Sequence, residues 1–502
     1  MPTYRRLIAL LSFPFIALLA FAESVPPAPG AQVITLNDAI QRALAKNYAI
    51  KVEGFDSAIA SAHVTESLGK FDPVLSGSYN HSLNRNPLLT FDANTGLRNT
   101  TNDETQTYDV GIGGLLPWGM TYRLGGTTTN ARGTFNGYAD NFDSFAGLSG
   151  TQPLLRDFGF GATTASIRIA RANRGISEWQ FRQTLMDTIT QVSYAYYNLG
   201  FASAVLRSAI RSRDLAADLL AENEKRFKIG NMSEYDVTSA RSRVASREES
   251  ILIAERQLRN AENALKQLIS DDRSAGLLDG RLAVEPPAPA PIVVVDPAAD
   301  IRVALEKRPD YQQARLGLKS SEINRRLQLN QLLPRVDLVG SYGANGNDAS
   351  RAVSRRQVQD QDYRSYSWGV AVSVPLSFTT ERGRYRAAKL RQTQAETQLQ
   401  QLEQAIVVFV GDAAGEIETT QQRIQVNRKA RDLAQATLDA EVKRLRVGQS
   451  STFFVSQYQE ILSGAEVREA AAQADYHKAL AEYDRQLGVT LEKLNIHIDP
   501  PK

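Results

Sequence analysis

The chain has 502 residues, 42% of them hydrophobic, a formal net charge of +3 and no cysteine. That length leaves room for several ordinary domains and a sizeable core. Near-balanced charge gives no electrostatic reason to propose a nucleic acid partner, and the lack of thiols excludes a disulfide framework, thiolate metal sites and a lipid anchor on an N-terminal cysteine.

The first 22 residues predict a cleaved secretory signal: Arg5 and Arg6, an apolar run from Leu7 to Leu19, then Ala20-Phe21-Ala22. The run is short for an anchor, which needs ~20 apolar residues. No later segment is apolar enough to span a membrane as a helix, so any insertion must use strands. A Pro-rich leader (23–32) precedes two related halves, 33–284 and 299–489. A Pro-rich connector (285–298) separates them and a tail (490–502) follows.

In the first half, strands are expected over about 74–152. Leu75, Gly77, Tyr79, His81 and Leu83 alternate with Ser76, Ser78, Asn80 and Ser82. Tyr108, Val110 and Ile112 alternate with Asp109 and Gly111; Trp118, Met120, Tyr122 and Leu124 alternate with Gly119, Thr121 and Arg123. A weaker strand lies around 142–152. In the second half, over about 336–376, Val336 to Tyr342 and Tyr366 to Val374 alternate in the same way. One apolar and one polar face suits a soluble sandwich or a membrane barrel. Export, aromatic-rich strands and long polar loops favour the barrel. A single-chain barrel needs about eight strands to close, so four to six strands imply a wall shared between copies.

No proline lies between Pro153 and Pro286 or between Pro375 and Pro500. Proline costs about 3 kcal/mol inside a helix, so these Ala-, Leu-, Gln- and Glu-rich windows predict helices over about 163–270 and 381–487. Each window is interrupted by a cationic turn and a glycine, at Arg226 to Gly230 and Arg444 to Gly448. The helices before those stops, 163–229 and 381–447, would each reach about 100 Å, which predicts a rod.

The two glycines stand 218 residues apart. The heptad seam after the first (Val237, Val244, Ile251, Leu258, Leu265, with Ala240, Arg247, Ala254, Ala261, Leu268) reappears at that offset. There it reads Val455, Leu462, Glu469, Tyr476, Tyr483, with Tyr458, Ala465, Ala472, Ala479, Gln486. A seven-residue seam is the mark of helices in coiled-coil contact. Upstream, Ala43 to Lys46 matches Ala304 to Lys307, and Pro73 matches Pro334. The order is helix, strands, long helix, helix, read twice.

Three motifs, two of them present in duplicate, carry a family resemblance. Arg-Phe-x-x-Gly-x-x-x-x-x-Asp-Val at Arg226 to Val237, with its second copy at Arg444 to Val455, resembles the helix–turn–helix tip of the TolC family. Phe71-Asp72-Pro73 before the first strand, and Gln152 to Leu155 with its counterpart Val374 to Leu376, are similar to that family's strand–helix junctions. The resemblance implies a homotrimer in which a shared outer-membrane β-barrel sits on a long periplasmic α-barrel. It implies a passive export conduit without chemistry or cofactor, closed at rest by its tip. A periplasmic adaptor and an inner-membrane pump would dock at the tip, where Arg226, Gly230, Asp236, Arg444, Arg446 and Gly448 are the candidate docking residues. Family members often carry acids just past the second glycine; here those positions are Phe454 and Gln457, and the Asp appears only in the first copy. The gate is therefore expected to be partly apolar, with Phe453, Phe454 and Gln457 near the axis, or with both phenylalanines packed between helices. Family protomers usually give four strands. The segment Leu115 to Gly119 joins two more, either an enlarged wall or a hairpin outside it. Trp118, Tyr122, Tyr366 and Trp368 are candidates for the membrane-interface girdle.

Other classes find little support. His63, His81, His477 and His497 are scattered, without metal-ligand spacing, and no His-Glu-x-x-His, Gly-x-Ser-x-Gly or phosphate-loop motif occurs. An exported hydrolase on a helical stalk thus has no candidate nucleophile. A periplasmic coiled-coil scaffold without a pore is the main alternative, disfavoured by the aromatic strands. The cargo, whether drug, metal ion or polypeptide, stays open.

Overall fold

A computed structural model describes residues 31–91, 98–285 and 292–498. The expected signal (1–22), most of the leader and the proline cluster of the connector lie outside these residues. From the N-terminus, β1 (Ala31–Ile34) leads into helices α1 (Leu36–Lys46) and α2 (Tyr48–Leu68). Four strands follow: β2 (Val74–Phe91), β3 (Arg98–Leu115), β4 (Thr121–Gly133) and β5 (Phe142–Pro153). A single turn, α3 (Gly159–Thr163), precedes the long α4 (Ala165–Lys228) and α5 (Glu234–Ile269). After β6 (Arg281–Val284) the plan repeats: α6 (Pro297–Lys307), α7 (Pro309–Asn330), β7 (Arg335–Asp348), α8 (Arg351–Asp360), β8 (Tyr363–Ser373), α9 (Thr379–Arg446) and α10 (Thr452–Leu487). A short α11 (Thr490–Lys493) ends the described chain.

The long helices fall where proline is absent. α4 has 64 residues and α9 has 68, each about 100 Å long at 1.5 Å per residue. Proline starts α6 and α7, at positions where the missing N–H costs nothing. Thr35 caps α1 by accepting the Asp38 N–H at 3.1 Å, and Asp296 caps α6 by accepting from Ala298 at 3.1 Å.

The repeat is a repeat of packing. In the first copy Val192, Ala195 and Leu199 of α4 bury against Leu265 and Ile269 of α5, with Ala43 of α1 beside them. In the second, Val410, Ala413 and Ile417 of α9 bury against Tyr483 and Leu487 of α10, with Ala304 of α6 in the same place. Each long-helix residue sits 218 positions after its counterpart, the offset of the two glycines. A buried polar contact is doubled too. Asn47 donates to the Leu268 carbonyl at 3.0 Å, and Arg308, in the matching position, donates to the Gln486 carbonyl at 3.1 Å. A third cluster, Leu438, Leu445, Val455 and Leu462, runs toward the far end of the second hairpin.

The polar lapses in the heptad seam are ion-paired or hydrogen-bonded. Glu469 meets Arg428 at 3.6 Å and Arg431 at 3.4 Å on α9. Arg247 reaches Glu460 at 3.4 Å. Gln486 accepts from Arg308 through both its backbone and its side chain.

Six strands form one antiparallel sheet in the order β2-β3-β4-β5-β7-β8. The β3–β4 hairpin is therefore part of the same sheet as the other four strands. The third strand starts later than its alternation suggests, at Thr121. Trp118 lies in the preceding turn, because Gly119 takes φ +99°, a conformation that ends the alternation. Two features had no clear pattern in sequence. β1 pairs with β6 in a two-stranded parallel sheet, and the polar stretch between β7 and β8 folds into α8.

Candidate functional site: the two-faced sheet and the helical tips

Register fixes which side chains share a face. Leu75, Ile112, Leu124, Leu148, Tyr342 and Tyr366 form one row across all six strands. Two residues nearer the long helices, Gly114, Tyr122, Gly150, Gly340 and Trp368 form the next. Leu338 and Val370, then Val336 and Val372, continue the same face. Its side chains stand in the open: Leu75 is 75% exposed, Tyr366 78% and Trp368 76%. A contiguous exposed apolar surface of this extent marks a face with a non-aqueous neighbour. Three of the girdle candidates, Tyr122, Tyr366 and Trp368, lie on this face in adjacent rows. Trp118 sits in the turn at the helical end of the sheet, where its carbonyl accepts the Gly159 N–H at 3.0 Å.

The opposite face is polar. Asp109 pairs with Arg123 and accepts from Thr127 at 2.8 Å; Arg123 also donates to Ser76 at 3.2 Å. Ser341 and Ser367 are 2.8 Å apart across β7 and β8. Phe145 is the large exception, its ring lying over the bare backbones of Gly147 and Gly343. The Arg123–Asp109 pair belongs to an alternation that was visible in sequence as charge on the polar face.

The tips lie at the other end of the long helices. Both end alike. Gly230 has φ +79° and Gly448 φ +77°. The Gly230 N–H reaches the Phe227 carbonyl at 2.9 Å and the Asn231 N–H the Arg226 carbonyl at 2.9 Å; Gly448 and Gln449 make the same two bonds to Leu445 and Arg444. This double closure satisfies orphan carbonyls and needs a left-handed residue at the glycine position.

The second half of each turn differs. Ser233 and Asp236 form a capping box: the Ser233 hydroxyl accepts the Asp236 N–H at 3.2 Å and donates to the Asp236 carboxylate at 2.6 Å. The matching α10 start has Ser451 and Phe454, and Ser451 makes no side-chain cap bond. Asp236 is thus a helix cap in this structure. Arg226 pairs with Glu222 at 3.0 Å and Arg444 with Glu441 at 3.2 Å, while Arg446 is exposed.

Phe453 and Phe454 are 57% and 47% exposed within one chain, so neither is packed between this chain's own helices. Their rings meet edge-on at 5.6 Å, and the Arg243 guanidinium stands 5.6 Å from the Phe453 ring. Gln457 is exposed on the next turn. A cleft between the two tips is lined by Tyr235, Asp236 and Arg243 of α5 and by Phe453 and Gln459 of α10. At its base the Asn223 side chain is 1% exposed and its amide has no hydrogen-bond partner. Sequence reading did not single out Asn223, since an asparagine inside a helix carries no signal of its burial.

Among the described residues, no group of His, Cys, Asp or Glu side chains is arranged to hold a metal ion, and no helix is long and apolar enough to cross a membrane.

Two helical hairpins carrying an antiparallel sheet at one end define a stalk-and-wall protein, in which the sheet has one apolar and one polar face. The chain belongs to the outer membrane efflux protein family, whose model matches residues 39–270 and 301–489. It is 22% identical over 306 residues to the outer membrane efflux protein BepC of Brucella suis, a match covering 60% of this chain and 63% of that protein. It is 23% identical over 361 residues to the outer membrane protein TolC of Escherichia coli, covering 70% of each. Its fold is similar to the Campylobacter jejuni CmeC outer membrane channel, with a TM-score of 0.67 at 16% identity over 97% of this chain and 94% of that one.

Proposed function

We propose that the chain is the outer-membrane channel subunit of a tripartite efflux or type I secretion system, a passive conduit from the periplasm to the exterior. The observation that carries this reading is the two-faced sheet continuing into two helices about 100 Å long, each turned back by a shorter partner. The apolar face suits lipid and the polar face suits water. Six strands leave both β2 and β8 as open edges, which copies of the chain would pair.

A homotrimer built this way has an eighteen-strand wall and a helical barrel reaching into the periplasm. Trp118 stands at the periplasmic rim, the place of an interface anchor, whereas Tyr122, Tyr366 and Trp368 face lipid two to three rows further out from Val336. Phe453, Phe454 and Gln457 narrow the closed tip, and an adaptor docks over the tip turns around Gly230 and Gly448, bringing the inner-membrane pump. The cationic ends Arg226, Arg444 and Arg446 present the docking charge, with Asp236 holding the turn beneath. Export through a cleaved signal without a lipid anchor completes this reading.

The native mass of the protein extracted from outer membranes in mild detergent is the test, together with conductance in planar bilayers. Three copies and a conducting pore support the reading. A protein found only in the soluble fraction, without conductance, returns the function to a periplasmic scaffold.

A further inference from the structure

α8 carries three arginines in ten residues, and its place on the sheet is fixed by contacts. Ser354 is fully buried; its hydroxyl donates to the Gly346 carbonyl at 2.9 Å and lies 2.8 Å from the Ser144 hydroxyl. Ser144 in turn meets Thr128 at 3.1 Å. The Arg351 guanidinium lies 4.4 Å from the Tyr108 ring centroid. Tyr108, Thr128, Ser144 and Gly346 are one register row. That row lies on the apolar-bearing face, two rows beyond Leu124, Leu148 and Tyr342. A side chain at Gly346 would collide with the Ser354 carbonyl, so glycine there lets the helix lie against the strands.

α8 is therefore folded onto the lipid side of the wall, at the end away from the long helices. Ten residue steps on β7 separate Val336, at the helical end, from Gly346. At about 3.4 Å per residue and about 40° of tilt they span roughly 26 Å along the membrane normal, close to the ~25 Å apolar band of outer-membrane barrels. The helix thus sits at the level of the outer leaflet headgroups. Arg355 and Arg356 are exposed, as is Arg364 on β8 in the next row of the same face. Among the described residues none of the three has an ion-pair partner; the nearest acids in sequence are Asp360, one helical turn from Arg356, and Asp362, two residues from Arg364.

We propose that α8 is a lipid-binding element whose arginines, Arg355 and Arg356 first, hold the phosphates of a phosphorylated glycolipid in the outer leaflet. Arginine's planar fork matches a phosphate in two-point contact. The anchoring bonds from Ser354 hold the helix backbone in place beforehand, so little ordering accompanies binding. α8 crosses β7 and β5, in the middle of this chain's sheet, so pairing of the open edges with other copies leaves it facing lipid. The proposal rests on reading the sheet as a membrane wall.

The test uses the full-length protein purified from outer membranes. Binding of bisphosphorylated lipid A in nanodiscs of uncharged lipid is measured for wild type, for R355E/R356E and for R355K/R356K, with conductance recorded for each. Each basic residue near a charged lipid surface contributes about five-fold in affinity, so double reversal weakens binding about twenty-five-fold or more, while the lysine pair, which keeps the charge and loses the fork, weakens it by an intermediate amount. Millimolar inorganic phosphate leaves the lipid bound. Equal binding by R355E/R356E overturns the proposal, and so does displacement by phosphate alone, which would mark a small-anion site. Conductance that persists in such a variant keeps the channel reading while the lipid proposal fails. A wild-type protein that neither inserts nor conducts removes the channel reading itself.

Discussion

Excising the β3–β4 hairpin is the sharpest test of how wide the wall is. β2 and β5 run antiparallel, and Leu75 and Leu148 belong to one row. Removing residues 98–141 would let Leu75 face Leu148 directly with both faces preserved; Phe142 would then stand opposite His81, and residues 82–97 would join the two strands. The alternation thus survives the loss of two strands. With strands about 4.8 Å apart and tilted about 40°, eighteen strands close at a backbone radius of roughly 18 Å and twelve at roughly 12 Å. Polymers of graded size, added from the exterior to channels in planar bilayers, report the outer opening by the size at which they stop partitioning. The excised form should exclude polymers about 6 Å smaller in radius than the native protein does. It also loses Asp109, Arg123 and Tyr108, so its native mass and heat resistance are read alongside. An unchanged exclusion size in a folded, trimeric variant would refute the placement of β3 and β4 in the wall.

Replacing Gly448 or Gly230 with Ala meets no neighbour, since nothing lies within 4 Å of either built Cβ. The left-handed backbone alone should cost about 1–2 kcal/mol, seen as faster proteolysis at the tip. Phe454→Ala should raise the conductance of the isolated channel; an unchanged trace would move both phenylalanines away from the axis. Leu265→Ala, at a site with no exposure, should cost about 2–5 kcal/mol and lower the thermal midpoint of the helical portion. Burial pushes the Glu482 carboxyl up, but hydrogen bonds from Arg485, Gln486 and Tyr194 more than offset this and hold it below the usual carboxylate range. A carboxyl depressed on folding stabilises the protein above its unfolded pKa and loses that contribution as pH falls through the folded value. Acid sensitivity below about pH 4 should therefore shrink in Glu482→Gln, measured by unfolding against pH.

Much of this was legible because long helices and strands are written in period. Proline's exclusion bounded α4, α5, α9 and α10, and the glycine offset matched the seam of α5 to that of α10. Row membership of Tyr122 and Trp368 was not legible, because register depends on pairing between strands far apart in sequence. The start of β4 was misplaced for a local reason: Trp118 and Met120 keep the alternation while Gly119 breaks the backbone between them. α8 has no mark in the sequence, since ten residues rich in arginine have no apolar stripe, and Ser354 and Arg351 hold it to the sheet. Arg308 was hidden as well. A buried arginine looks like any surface cation until the Gln486 carbonyl and Asp310 are seen beside it.

The tip shows how duplication separates folding from function. Both copies need the glycine and the same two carbonyl closures, because a helix of this length must turn back within a few residues. Only the first copy spends a carboxylate on its cap. In the second, the third helical position, where Asp236 closes the box with the Ser233 cap, carries Phe454, and the Ser451 cap makes no side-chain bond, so the turn forgoes a stabilising bond of about 1 kcal/mol. Phe454 returns no comparable packing within the chain, for its ring is about half exposed. A residue that lowers local stability without a local gain is expected where function asks for it. Restoring the cap separates the two roles. Phe454→Asp should stabilise the start of α10 against proteolysis while opening the closed tip to ions. If the same change stabilised the turn and left conductance untouched, Phe454 would be a defect of the second copy and not part of a gate.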